Sequence, residues 1–208
     1  MTRRLAFAFC LVAGMAFGHT AESAGAAPSD LDPAIVGVLQ KDGIRVKDGA
    51  KVVMEFWFVS ALPGGSASGA PNVTMPELPH GALMGVVRFP AKYMDRRGQS
   101  IQPGVYSMRF SFYPENGDHQ GAAPQRDFLV LSPIANDKDP KATPAFDALM
   151  EMSRKASGTP HPLVLSMWKQ DAAAFKPGVA AEGESDQALQ LKVGETPIAV
   201  IVAGVSNH

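Results

Sequence analysis

Apolar and polar residues alternate strictly from Tyr106 to Phe112. Tyr106, Met108, Phe110 and Phe112 fall on one side, and Ser107, Arg109 and Ser111 on the other. A period of two with aromatic side chains on one side predicts a strand with one buried and one wet face. Pro103 and Gly104 supply the turn before it. Residues 51–59 follow the rule less strictly. Val52, Met54, Phe56 and Phe58 share one face, and Glu55 interrupts the other beside Val53 and Trp57. This predicts a largely buried strand. Glu55 is then either the exposed face of an edge strand or a buried acid, and the first is the commoner arrangement.

Shorter apolar runs predict strands at 34–39, 83–89, 127–131, 162–168, 188–193 and 197–203, with turns at 41–43 and 47–49. One helix is predicted at 144–155. Thr143 is its N-cap and Pro144 its first residue, and Phe146, Leu149 and Met150 line one side. Arg154 and Lys155 complement its carbonyl end, and Gly158 stops it. Residues 63–81 are rich in Gly, Ser, Ala and Pro, a length that is usually functional or disordered when it holds no regular structure. Residues 172–185 read as a polar loop. Eight or so short strands with one helix predict a mainly all-β fold, an antiparallel β-sandwich, with a small β-barrel as the alternative.

The first 26 residues read as a signal peptide, leaving 27–208 as a single domain. Arg3 and Arg4 precede an apolar run over 5–17, and Ala24, Gly25 and Ala26 form the small-residue pattern that a signal peptidase cuts after. The run is short of the roughly 20 residues a membrane span needs. Cys10 sits behind Phe9, where a lipidation site wants a small residue. The two arginines lie too close to the apolar run to favour a twin-arginine signal. An alternative cut after Gly18, at Ala16, Phe17 and Gly18, would leave His19 first, and an amino-terminal histidine can chelate copper through its amine and ring nitrogen. The later cut fits the small-residue rule better. The expected location is periplasmic or secreted.

Removing 26 of the 208 residues leaves 182, enough for one domain with a real core. The leader carries two of the 19 basic and one of the 20 acidic residues, so the remainder has a formal charge of −2. No basic stripe exists, which argues against nucleic acid and anionic membrane as partners. The single cysteine is Cys10 in the leader, so the domain has no disulfide, thiolate nucleophile or sulfur-rich metal site.

Chemistry concentrates just past the best strand, where Glu115, Asp118 and His119 fall close together and Asp127 follows. Imidazole and carboxylate are the ligands copper or zinc would take where cysteine is lacking. His80 and His161 lie beside prolines in other loops, so His80, His119 and His161, with Asp118, form a candidate metal set. It lacks the close His spacing of a helix or strand pair. The plainer reading is a turn built on Asn116 and Gly117. Trp57, Tyr113, Glu115 and Asp127 are the candidate binding residues, although aromatic residues on strands are more often core. Asn72, Val73 and Thr74 match a glycosylation acceptor. Gly65 to Gly69 place Ala67, not serine, at the centre of what would be a nucleophile elbow. No other catalytic motif stands out.

Residues 98–133 hold the run from Ile101 to Arg109, then Gly117, Asp118 and His119, then the run from Arg126 to Pro133. This stretch resembles exported bacterial β-rich proteins with no assigned activity. It implies an exported β-domain and brings no catalytic residues with it. The expected function is a non-catalytic binding or accessory module. It would present the loops at 63–81 and 113–125 to a small molecule, glycan or protein. The alternative is a metal-binding protein or metalloenzyme that uses the loop histidines with copper or zinc.

Overall fold

A computed structural model describes residues 18–113 and 125–205. Ten strands join into one antiparallel sheet. In chain order they are β1 (His19–Gly25), β2 (Gly43–Asp48), β3 (Lys51–Phe58), β4 (Leu83–Phe89), β7 (Gly104–Phe112), β8 (Asp127–Pro133), β9 (Leu163–Lys169), β10 (Gly178–Glu182), β11 (Asp186–Val193) and β12 (Thr196–Ala203). The spatial order is β1-β2-β3-β4-β7-β8-β9-β12-β11-β10, and β5 (Tyr93–Met94) pairs with β6 (Ser100–Ile101) in a separate hairpin. The sheet curls until β1 and β10 stand side by side, and the His19 N–H donates to Gln187 Oε1 across the seam at 2.8 Å. The fold is all-β and antiparallel, as the strand pattern implies. Its form is a single sheet curled nearly into a barrel. No helix among the described residues is long and apolar enough to cross a membrane.

The alternation read in the sequence sets which side chains fill the barrel. One row runs Phe58, Gly85, Met108, Leu131 and Leu163 across five strands, and its four side chains lie in the main core. Gly85 has to be small there. A Cβ would fall 2.3 Å from the Trp57 carbonyl oxygen and 3.1 Å from the Met108 methyl carbon, at a φ of +149°.

The polar face of β7 is dry, contrary to the wet face expected. Ser107, Arg109 and Ser111 are fully buried, because the chain after β8 folds back over the first two and His80 sits on Ser111. Arg109 makes a two-toothed ion pair with Asp137, Nε to Oδ2 at 2.7 Å and Nη2 to Oδ1 at 2.6 Å. Its remaining donors reach the carbonyls of Gly81, Asp139 and Ala142. Farther along the same outer face, helix α2 (Phe146–Ser157) packs Leu149 and Met150 on Phe128, Val130 and Val164.

Glu55 is also buried, not exposed on an edge. β3 lies between β2 and β4, and Glu55 at 2% exposure accepts from Arg45 Nε at 2.7 Å and Arg88 Nε at 2.6 Å. Two cross-strand arginines satisfy the carboxylate, and its hydrogen bond and negative charge hold Arg45 more strongly protonated than usual.

Three segments depart from expectation. Residues 34–39 begin as helix α1 (Pro33–Val36), because Asp32 Oδ1 caps the Ala34 N–H at 2.9 Å and Pro33 is pre-set for the first turn. The polar loop at 172–185 contains β10, which draws its hydrogen bonds from β11. Helix α2 starts at Phe146, with Ala145 at the cap and Thr143 outside it, and it ends at Gly158 (φ 65°) as expected.

Candidate functional site

The two ends of the barrel differ. At one end β9 and β12 part company. They pair only through Ile198–Lys169, Ala199–Trp168 and Val200–Met167, and the sheet splits beyond Val200. The β5–β6 hairpin plugs the split. Tyr93 donates its hydroxyl to the Val202 carbonyl at 2.7 Å, and Arg97 Nη2 and Gln99 Nε2 donate to the carbonyls of Pro162 and His161. The plug is incomplete. A cavity of about 690 Å³ remains between hairpin and sheet, with Met54 and Leu165 from the barrel interior, Ile201 and Val202 on one wall, and Tyr93 and Met94 opposite. That volume lies in the range of sites for small organic molecules.

Charge at this mouth is arranged unevenly. Arg96 Nε meets both oxygens of Asp186 at 3.0 Å, and Arg97 pairs with Asp95. Lys92 is exposed at the rim and has no ion pair among the described residues. Burial, with the negative charge of Asp48 behind it, pushes the Tyr93 phenol up to about 12. Tyr93 is therefore a neutral hydrogen-bond donor that holds the wall in place.

The other end carries several residues singled out in the sequence. Asp127 is fully buried, and its Oδ2 accepts from both the N–H and the hydroxyl of Thr74 at 2.7 Å. Thr74 Oγ1 in turn accepts the Lys169 N–H at 2.8 Å. Burial pushes the Asp127 carboxyl up, and the Thr74 bonds partly offset that. Its second oxygen, Oδ1, has no partner among the described residues. These contacts pin the 63–81 loop, which also sends Met75 and Leu78 into the core. Its second half, from Thr74 on, is thus packed structure, while most of residues 64–72 stay exposed. Tyr113 stacks on Phe128 with ring centres 4.6 Å apart.

Trp57 offers no face to a ligand. It is 2% exposed, its Nε1 donates to the Gly25 carbonyl at 2.9 Å, and its indole lies where any Cβ on Gly43 would sit. His80 is half-buried between Phe112 and Phe146, its Nε2 3.0 Å from Ser111 Oγ, and burial lowers its pKa. His161 lies at the opposite end of these strands. Phe112 pairs with Asp127, whereas Leu163, two residues after His161, pairs with Leu131. Along β8 those positions are roughly 13 Å apart at the rise of a strand. The structure therefore does not bring His80 and His161 together, and no group of three or more His, Cys, Asp or Glu gathers among the described residues. Glu115, Asp118 and His119 lie outside the described residues.

The cavity was not read from the sequence. Its walls come from strands far apart in the chain and from a hairpin of two-residue strands, too short to leave a period.

The architecture is a ten-stranded, nearly closed antiparallel barrel with an apolar cavity at one mouth. Comparison with protein-family models, curated proteins and solved structures gives no match.

Proposed function

We propose that this protein is an exported, non-catalytic binding module, and that its barrel mouth takes an apolar small molecule carrying one anionic group. The observation that carries the reading is the cavity of about 690 Å³, walled by Met54, Leu165, Ile201 and Val202 and rimmed by Lys92, which has no ion pair among the described residues. Apolar walls favour burial of a hydrocarbon body at about 25 cal/mol per Å² removed from water. A single lysine at the rim adds an orienting contact for a carboxylate or sulfonate while its ammonium stays solvated. Export is supported by Arg3, Arg4 and the apolar run that follows.

The test compares decanoate with decanol by calorimetry. Decanoate should bind several-fold more tightly than the alcohol, and Lys92→Ala should erase that difference. Ala203→Trp, which fills the cavity from its wall, should abolish binding of both. Binding that survives Ala203→Trp, or no binding of either probe, would overturn the reading.

A further inference from the structure

Strand β1 is an integral part of the sheet, although its residues lie ahead of the cut that the small-residue rule prefers. His19 to Gly25 pair with β2 along its length. Glu22 meets Lys47 and Arg45, Ser23 donates to Asp42, and the Gly25 carbonyl takes the Trp57 indole N–H. Ala21 and Ala24 pack against the core. Cutting after Ala26 would remove all of this and turn β2 into a bare edge. Cutting after Gly18 keeps all of it, and Ala16, Phe17 and Gly18 supply the required small residues at the right spacing.

The second observation is the posture of His19. Its backbone nitrogen lies 2.8 Å and its ring Nδ1 3.2 Å from the same atom, Gln187 Oε1. Both nitrogens therefore face one point, with an amide oxygen already there. We propose that processing after Gly18 makes His19 the first residue, and that its amine and Nδ1 then chelate one Cu(II) ion, with Gln187 Oε1 as the neighbouring donor. Hydrolysis of the Gly18–His19 peptide consumes one water, leaving a carboxylate on Gly18 and an amine on His19. The chemistry turns on that cut, because an amide nitrogen has its lone pair tied up in resonance and an amine does not. Amine and imidazole close a six-membered ring with the metal, and divalent copper heads the affinity order for such nitrogen donors. The site lies at the same barrel end as the cavity, since Asp186 beside Gln187 pairs with Arg96 of the rim. It does not depend on what the cavity holds.

The experiment begins with the full chain exported from a Gram-negative host and the intact mass of the mature product. Cu(II) is then titrated against a chromogenic chelator and read by electron paramagnetic resonance. The expected product starts at His19 and binds one Cu(II) with nitrogen hyperfine structure. His19→Ala should bind at least tenfold more weakly. The wild-type product with the His19 amine blocked by selective acetylation, at a mildly acidic pH where lysines stay protonated, should lose affinity equally while keeping its melting temperature, since β1 is intact in it. A mature chain starting at Ala27, or at any residue other than His19, would overturn the proposal. So would equal binding by the amine-blocked chain.

Discussion

Arg109 and Asp137 form a buried, two-toothed ion pair on the outer face of β7, with the arginine wholly inaccessible to solvent. Ser107 adds its hydroxyl to Asp137 Oδ2 at 2.5 Å, so the carboxylate is fully engaged. Removing one partner of such a pair strands a charge out of water, which costs about 3–5 kcal/mol. Asp137→Ala should therefore lose about that much unfolding free energy in a urea titration. Replacing both residues by apolar ones, Arg109→Met with Asp137→Leu, should recover a large part. If Asp137→Ala unfolds like the wild type, the pair does not hold the 134–145 segment down.

What the sequence showed and hid follows from this pair. Strict alternation in β7 marked the strand and its inward face, because a period of two is a property of one segment. Whether the other face is wet depends on what folds over it, and Asp137 lies 28 positions away. Glu55 was misread for the same reason. Its two arginine partners stand on neighbouring strands, and no local pattern says that β3 has a neighbour on each side. β10 was missed because Val179 and Ala180 are too few and too small to leave a period, and the β11 register supplies the bonds. Asp127 stands out with its neighbours, but its partner Thr74 comes from a Gly, Ser, Ala and Pro-rich loop with no pattern that ties it to a strand.

The Trp57 indole bond to the Gly25 carbonyl makes a related prediction about the start of the domain. A chain beginning at Ala27 loses that acceptor, the β1–β2 ladder and the core contacts of Ala21 and Ala24. With each net hydrogen bond worth about 1 kcal/mol, the loss should reach several kcal/mol. The exposed edge of β2 should also promote association. Chains starting at His19 and at Ala27, compared by thermal melting and light scattering, check this directly. Equal melting temperatures would mean that β1 contributes nothing.

His80 sets a pH dependence on the acid side. Burial against Phe112 and Phe146 lowers its pKa below the ordinary 6.5, so the folded state prefers the neutral ring. The unfolded chain binds the proton first, and stability therefore falls as pH drops below about 6.5, levelling off once the folded ring is also protonated. His80→Gln, which keeps a polar contact for Ser111 and cannot titrate, should flatten that part of the stability curve. A curve of unchanged slope in the variant would assign the acid loss to other groups.

The tyrosines set the opposite limit. The chain has three, and burial raises the pKa of Tyr93, Tyr106 and Tyr113 above the ordinary 10, that of Tyr93 to about 12. The folded state holds these protons longer than the unfolded state, so stability falls as pH rises from about 10 toward 12. Absorbance near 295 nm should stay flat through pH 10 and then rise together with loss of the folded circular dichroism signal. Tyr93→Phe removes the donor to the Val202 carbonyl and should cost about 1–2 kcal/mol, with weaker decanoate binding because the hairpin wall of the cavity is released. A Tyr93 phenol that ionises near pH 10 in the folded protein, identified as the absorbance step lost in Tyr93→Phe, would show that the hairpin does not bury it, and the cavity would lose one of its walls.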